Sequence, residues 1–215
     1  MSILYCETWD VLPGKGTDYG RFISDVYIPT MTSMGLVSVG GYYVEVGFGP
    51  RIIGVNSTET LQEMVAIIGN RRFHALNNEL RSLVINYRRY VLYPTGNVKR
   101  EKYTIQKGVW KFNQYYDIRP GKREFYNDFV IHEHLPVMQT IDYMEVTGGW
   151  NVLFGGTSQI IAEFTVKDPE NIGKLLKNEA FRDVSMKLKN EFVDNYHTRI
   201  LRCTERFDDM KWVRL

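Results

Sequence analysis

The chain repeats itself. Trp9-Asp10-Val11-Leu12-Pro13-Gly14-Lys15 returns 107 residues later as Tyr116-Asp117-Ile118-Arg119-Pro120-Gly121-Lys122, and the same spacing carries Phe22 onto Phe129, Pro29 onto Pro136 and Met31 onto Met138. After one inserted residue the spacing becomes 108, aligning Gly40-Gly41-Tyr42 with Gly148-Gly149-Trp150, Ile52-Ile53 with Ile160-Ile161 and Phe73 with Phe181. One more insertion places Tyr87 on Tyr196 and Val91-Leu92 on Ile200-Leu201. A register kept this far marks a tandem duplication, and a repeat decides architecture before any single motif does. The 215 residues divide into a first unit over 1–97, a linker over 98–107, a second unit over 108–205 and a tail over 206–215.

Within each unit the hydrophobic period changes in a fixed order. Ile3 to Leu12 alternates and stops at Pro-Gly, which predicts a strand and a turn. Asp18 to Met34, and its copy Glu124 to Ile141, carry apolar residues at helical spacing. Val37 to Phe48 and Met144 to Phe154 are β-branched and aromatic, and their Gly-Gly pairs predict a bulge. A Gly-rich hairpin turn leads to Arg51–Val55 or Gln159–Phe164, another strand. Ser, Thr or Asp then precedes a helical run as an N-cap would. A second helical run follows, with Leu76, Leu80, Leu83 and Tyr87 on one stripe, matched by Val184, Leu188, Phe192 and Tyr196. Tyr90–Tyr93 and Arg199–Leu201 close the units as strands. The order is β-α-β-β-α-β, the ferredoxin-like plan, so the fold class is α+β. Its four-stranded sheet has helices on one face only, and two units in one chain cover each other's bare face. The expected result is a barrel with helices outside and room for a cavity between the sheets.

These residues resemble the dimeric α+β barrel superfamily, and within it the NIPSNAP and EthD-like families. Phe125, Phe129 and His132-Glu133-His134-Leu135-Pro136 look like the aromatic-rich EthD-like helix that ends in a His, one residue and a Pro. Asn178-Glu179-Ala180-Phe181 to Tyr196, leading into Arg199-Ile200-Leu201, look like the last helix and strand of NIPSNAP proteins. The resemblance implies a fold shared by cofactor-independent monooxygenases, polyketide cyclases, isomerases and haem proteins. Fold alone does not choose among them.

Composition narrows the partners. With 27 Lys+Arg against 25 Asp+Glu, the net charge is +2. Basic residues do interleave with aromatics from Arg88 to Lys111, but the halves balance: 12 basic and 9 acidic residues to Lys107, 15 and 16 after it. No basic stripe for nucleic acid emerges. The sequence has no apolar window of the roughly 20 residues a bilayer span needs. Two cysteines, Cys6 and Cys203, give neither a disulfide framework nor a zinc spacing. No metal ligand set is expected, since His132 and His134 are two apart and diverge on a helix. Without a signal-peptide pattern at the start, the expected location is the cytoplasm.

One candidate site emerges from comparing the copies. At about 100° per residue, Val130, His134, Val137, Met138 and Ile141 share a face, opposite Phe125, Phe129, His132 and Pro136. Tyr27 holds the position of His134 in the first unit. A histidine on an apolar face suits acid–base chemistry, because its pKa lies near neutrality and burial adjusts it. His134 and Tyr27 are therefore the candidate catalytic residues. Trp9, Tyr116, Trp150, Asn151 and Tyr42 are candidate substrate contacts, the last three because the copies differ at the Gly-Gly bulge. Asp10 and Asp117, each just before a Pro-Gly turn, are expected to stabilise that turn, and His74 and His197 read as surface residues.

Three functions compete. The first is a small-molecule-binding barrel, a cofactor-independent enzyme of monooxygenase, cyclase or isomerase type, acting on an apolar or aromatic substrate with His134 as acid/base. The second is a haem-binding barrel, with an imidazole as axial ligand. The third is a non-catalytic assembly or adaptor protein, whose aromatic and basic tail from Phe207 to Leu215 would clasp a neighbour through Trp212 in a homo-oligomer.

Overall fold

A computed structural model describes residues 2–98, 103 and 108–204. The tail with Trp212, and all but two residues of the linker, lie outside these. Eight strands carry the fold: β1 Ile3–Val11, β2 Val37–Val46, β3 Ile52–Thr58, β4 Val84–Pro94, β5 Trp110–Ile118, β6 Glu145–Gly155, β7 Ile160–Val166 and β8 Val193–Thr204. They form a closed antiparallel barrel in the order β1-β3-β2-β8-β5-β7-β6-β4. Each half contributes four neighbouring strands, and β2–β8 and β4–β6 join the halves. Closure satisfies both edges of each half-sheet, edges that would otherwise recruit another chain.

Helices cover the outside. In the first half, segments Gly16–Arg21, Phe22–Tyr27 and Ile28–Ser33 run on as one helix, followed by Leu61–Ile68 and Arg71–Arg81. The second half repeats this with Arg123–Phe129, Val130–His134, Leu135–Gln139, Glu170–Lys177, Glu179–Lys187 and Leu188–Phe192. Phe22–Tyr27 and Val130–His134 are π-turns, each just before a proline, Pro29 or Pro136, that lacks the N–H to continue regular bonding. The π-turn also changes which residues face inward. Phe129, expected opposite His134, is buried against Phe192 with ring centroids 4.8 Å apart. Tyr87 and Tyr196 lie in β4 and β8 rather than on helical stripes. The Gly-Gly bulges stand where expected, as register shifts at Ser38/Gly40 and Val146/Gly148.

Strand alternation sorts the interior into three compartments. Ile3, Tyr5 and Trp9 of β1 face the first-half helices, whereas Leu4 and Cys6 face the lumen. The second-half layer is built on Phe112, Tyr116, Phe129, Phe164 and Leu188. The lumen is a packed core and leaves a cavity of only about 30 Å³, room for little more than water. Tyr103, from the linker, plugs it and stands edge-on to Trp150 at 5.3 Å.

Candidate functional site

The seven residues singled out by sequence fall into separate compartments. Tyr27 and Trp9 lie in the first-half sheet–helix layer, His134 and Tyr116 in the second-half layer, and Tyr42 and Trp150 in the lumen. Asn151 follows Trp150 along β6 and points to the opposite face. Tyr27 and His134 are equivalent by the repeat and therefore lie in separate layers. Together they cannot grip one small substrate.

The first-half layer is closed chemically. Glu7, fully buried on β1, accepts hydrogen bonds from Tyr27 Oη, from Tyr87 Oη at 2.5 Å and from Tyr5 Oη at 3.2 Å. Tyr87 Oη also lies 2.7 Å from Asn77 Oδ1. Burial raises the Glu7 pKa, against the lowering effect of the three tyrosines. Burial and the neighbouring Glu7 push the Tyr27 phenol well above its usual value. Trp9 donates Nε1–H to Tyr19 Oη at 3.0 Å. These polar groups are satisfied, as buried ones normally are.

The second half replaces that network position by position. The repeat sets Gln114 where Glu7 stands, His134 for Tyr27, Ser185 for Asn77 and Tyr196 for Tyr87. Gln114, His134 and Ser185 are all buried, yet Gln114 Nε2 and Oε1, His134 Nε2 and Ser185 Oγ have no hydrogen-bond partner among the described residues. Histidine is shorter than tyrosine and serine smaller than asparagine, so the substitutions open the contact that the first half closes. Phe129 and Phe164 flank the imidazole, with centroids at 5.9 and 6.4 Å. Burial lowers the His134 pKa to about 4, so the ring is neutral at pH 7. Nearby, Tyr116 Oη pairs with Tyr126 Oη at 3.0 Å, and the Tyr116 ring stacks on Tyr196. Unpaired buried polar atoms are costly, and a native structure usually offsets them with water or a ligand.

Sequence reading found His134 but missed Gln114 and Ser185. Their signal was in the repeat itself, as the partners of Glu7 and Asn77, both polar at positions that face a core. Asp10 and Asp117 are turn clamps: Asp10 accepts from Arg51 N at 2.7 Å and Asn86 Nδ2 at 2.8 Å, and Asp117 likewise from Gln159 N and Asn195 Nδ2. His197 corrects the surface reading. It is half-buried, stacked on Tyr115 at 5.0 Å, because β8 carries it against the barrel instead of leaving it on a helix. Among the described residues no three His, Cys, Asp or Glu side chains are grouped to hold a metal, and no helix is long and apolar enough to cross a membrane.

No protein-family model matches the chain, and no curated protein matches it. Solved structures do. A candidate monooxygenase from Lactobacillus acidophilus is 11% identical, with 94% of this chain and 93% of that one covered and a TM-score of 0.62. An anthrone oxidase-like protein is 7% identical, with 94% and 91% covered and a TM-score of 0.63. A candidate chlorite dismutase is 9% identical, with 95% of each chain covered and a TM-score of 0.66. At these identities the likeness is one of fold, and the fold is the dimeric α+β barrel, with both ferredoxin-like halves in one chain.

Proposed function

We propose that this protein is a small-molecule-binding barrel whose site is the second-half sheet–helix layer, and that it acts there as a cofactor-independent enzyme on an apolar, aromatic substrate bearing a phenolic or enolic oxygen. The observation that carries this reading is the set of unpaired buried atoms on Gln114, His134 and Ser185, at the positions where the first half builds a closed network. The neutral imidazole Nε2 accepts the substrate's proton. Gln114 supplies a donor and an acceptor to the oxygen left behind, and Phe129, Phe164 and Tyr116 wall the apolar body. Such a division, mostly apolar lining with few convergent polar groups, is usual for ligand sites.

The anthrone oxidase-like fold relative suggests a probe. Anthrone plus O₂ gives anthraquinone plus water, a balanced conversion that needs only a base to form the enolate. The parent protein is expected to accelerate anthraquinone formation over buffer, and His134→Gln to lose at least tenfold of that, within the range a general base supplies. Equal rates for parent, variant and buffer would remove the enzyme reading for this substrate class.

Haem is the second reading, because His134 Nε2 is a suitable ligand atom. The surroundings do not fit it: the rings of Phe129 and Phe164 stand against the imidazole, and Met138 and Leu188 are buried in the same layer. The expected result of haemin addition is no Soret shift; a stoichiometric one lost in His134→Gln would reverse this order.

A further inference from the structure

Arg199 on β8 is 7% exposed, yet no hydrogen bond or ion pair reaches its guanidinium among the described residues, and its Nε is sealed from solvent. Two aromatic rings lie against it, with Tyr115 4.8 Å and Phe48 5.2 Å from its Cζ to the ring centroid. Rings attract a cation without neutralising it. The carboxylates that act on Tyr115 and on His197, two residues along β8, already have partners. Glu163 holds Lys111, Tyr103 and Thr147, and Asp117 holds Gln159 N and Asn195. Lys111 and Glu163 cancel each other inside the barrel, so Arg199 is a net positive charge with nothing opposite it. Buried charges are ordinarily paired.

Two more polar atoms at the same place lack partners, Asn113 Oδ1, directly across the β5–β8 pairing from Arg199, and His197 Nε2. The β2–β3 hairpin is moulded over the arginine. A Cβ on Gly47 (φ +121°) would stand 2.9 Å from Arg199 Cγ, and one on Gly49 (φ +97°) 3.1 Å from a terminal guanidinium nitrogen. Phe48 between them is 56% exposed at the hairpin tip. The other half keeps no such charge. By the repeat, Tyr90 stands for Arg199, Cys6 for Asn113 and Gly156 for Phe48, and Tyr90 and Cys6 are both buried, uncharged members of the lumen core.

We propose that Arg199 anchors a carboxylate-binding site where the β2–β3 hairpin overhangs β8, separate from the sheet–helix site, and that its ligand is a small aromatic acid. Its Nε is sealed but its two terminal nitrogens are not, and a planar two-oxygen group fits such a guanidinium edge in bidentate fashion. A single negative charge balances the single positive one. Phe48 and Tyr115 give the ligand's ring an apolar surface.

The test is titration with benzoate, with benzamide and inorganic phosphate in parallel, at constant ionic strength. In the parent protein the Arg199 Nε–H resonance is expected to shift saturably with benzoate alone, and the melting temperature to rise with it. Arg199→Gln is expected to abolish the melting shift, and Gly49→Ala to weaken benzoate binding at least fivefold by pressing on the guanidinium. The proposal is overturned if the resonance ignores benzoate, if benzamide moves it equally, or if phosphate binds in benzoate's place. The resonance reads the parent directly, so an unstable variant leaves the test intact.

Discussion

At the scale of single residues, His134 and Tyr27 show how one position acquires two chemistries. Tyr27 reaches Glu7 and is spent in a network, whereas His134, shorter and opposite a neutral Gln114, leaves its Nε2 open. The imidazole also has a thermodynamic signature. An unfolded histidine takes up its proton near pH 6.5 and the buried one only near 4. Its contribution to stability is thus full above pH 6.5 and is lost as pH falls through that window, by about 3 kcal/mol when complete. His134→Leu should remove this loss and, by deleting an unsatisfied polar atom, leave stability at pH 7 unchanged or about 1 kcal/mol higher. Urea unfolding at pH 7 and at pH 4.5 measures both; an unchanged pH response in the variant would show that His134 is not the group titrating. Aligned copies and an apolar helix face made His134 legible. Arg199 was not, because a lone arginine in a strand gives no clue that its carboxylate partner is missing.

At the scale of elements, local signals held where local physics governs. Of the caps expected where the first late helix of each unit begins, Thr60 forms a full capping box with Glu63, whereas in the second unit Pro169 holds the cap position without a side-chain cap and Asp168 accepts from Glu170 N at 2.9 Å. Asn70 and Asn178, not among the expected caps, cap the helices that follow. The stripe that ran through Leu83 to Tyr87 failed, since the chain leaves the helix at Arg81 and Val84 pairs with Val11 of β1. A tertiary strand partner outweighed a helical period. The turn clamps belong to this scale as well. Asn86 and Asn195 adopt φ 57° and 52°, and each gives its amide to the aspartate at the end of the neighbouring strand. Asp117→Ala removes two such bonds and is expected to cost about 1–2 kcal/mol, read as a lower denaturant midpoint at unchanged slope. No change in midpoint would reduce the clamp to decoration.

At the scale of the whole molecule, closure brings the charged residues inside. Lys111 of β5 and Glu163 of β7 are 52 residues apart in sequence and meet in the lumen, where Tyr103 and Thr147 complete the carboxylate's bonds. Lys111→Met strands the carboxylate and is expected to cost about 3–5 kcal/mol, whereas Lys111→Met with Glu163→Met together should cost much less, because an apolar pair carries no desolvation penalty. Additive losses would deny the coupling. The sequence alone determined the duplication, the β-α-β-β-α-β order and the barrel those two units imply, because period, caps and turns are local signals and each was written twice. Only the tertiary structure decided which buried polar groups are satisfied. A residue's own type reports its need for a partner, but the partner comes from a distant strand or helix. That is why the closed network at Glu7, the open one at Gln114 and His134, and the unpaired charge of Arg199 became visible only when the barrel was closed.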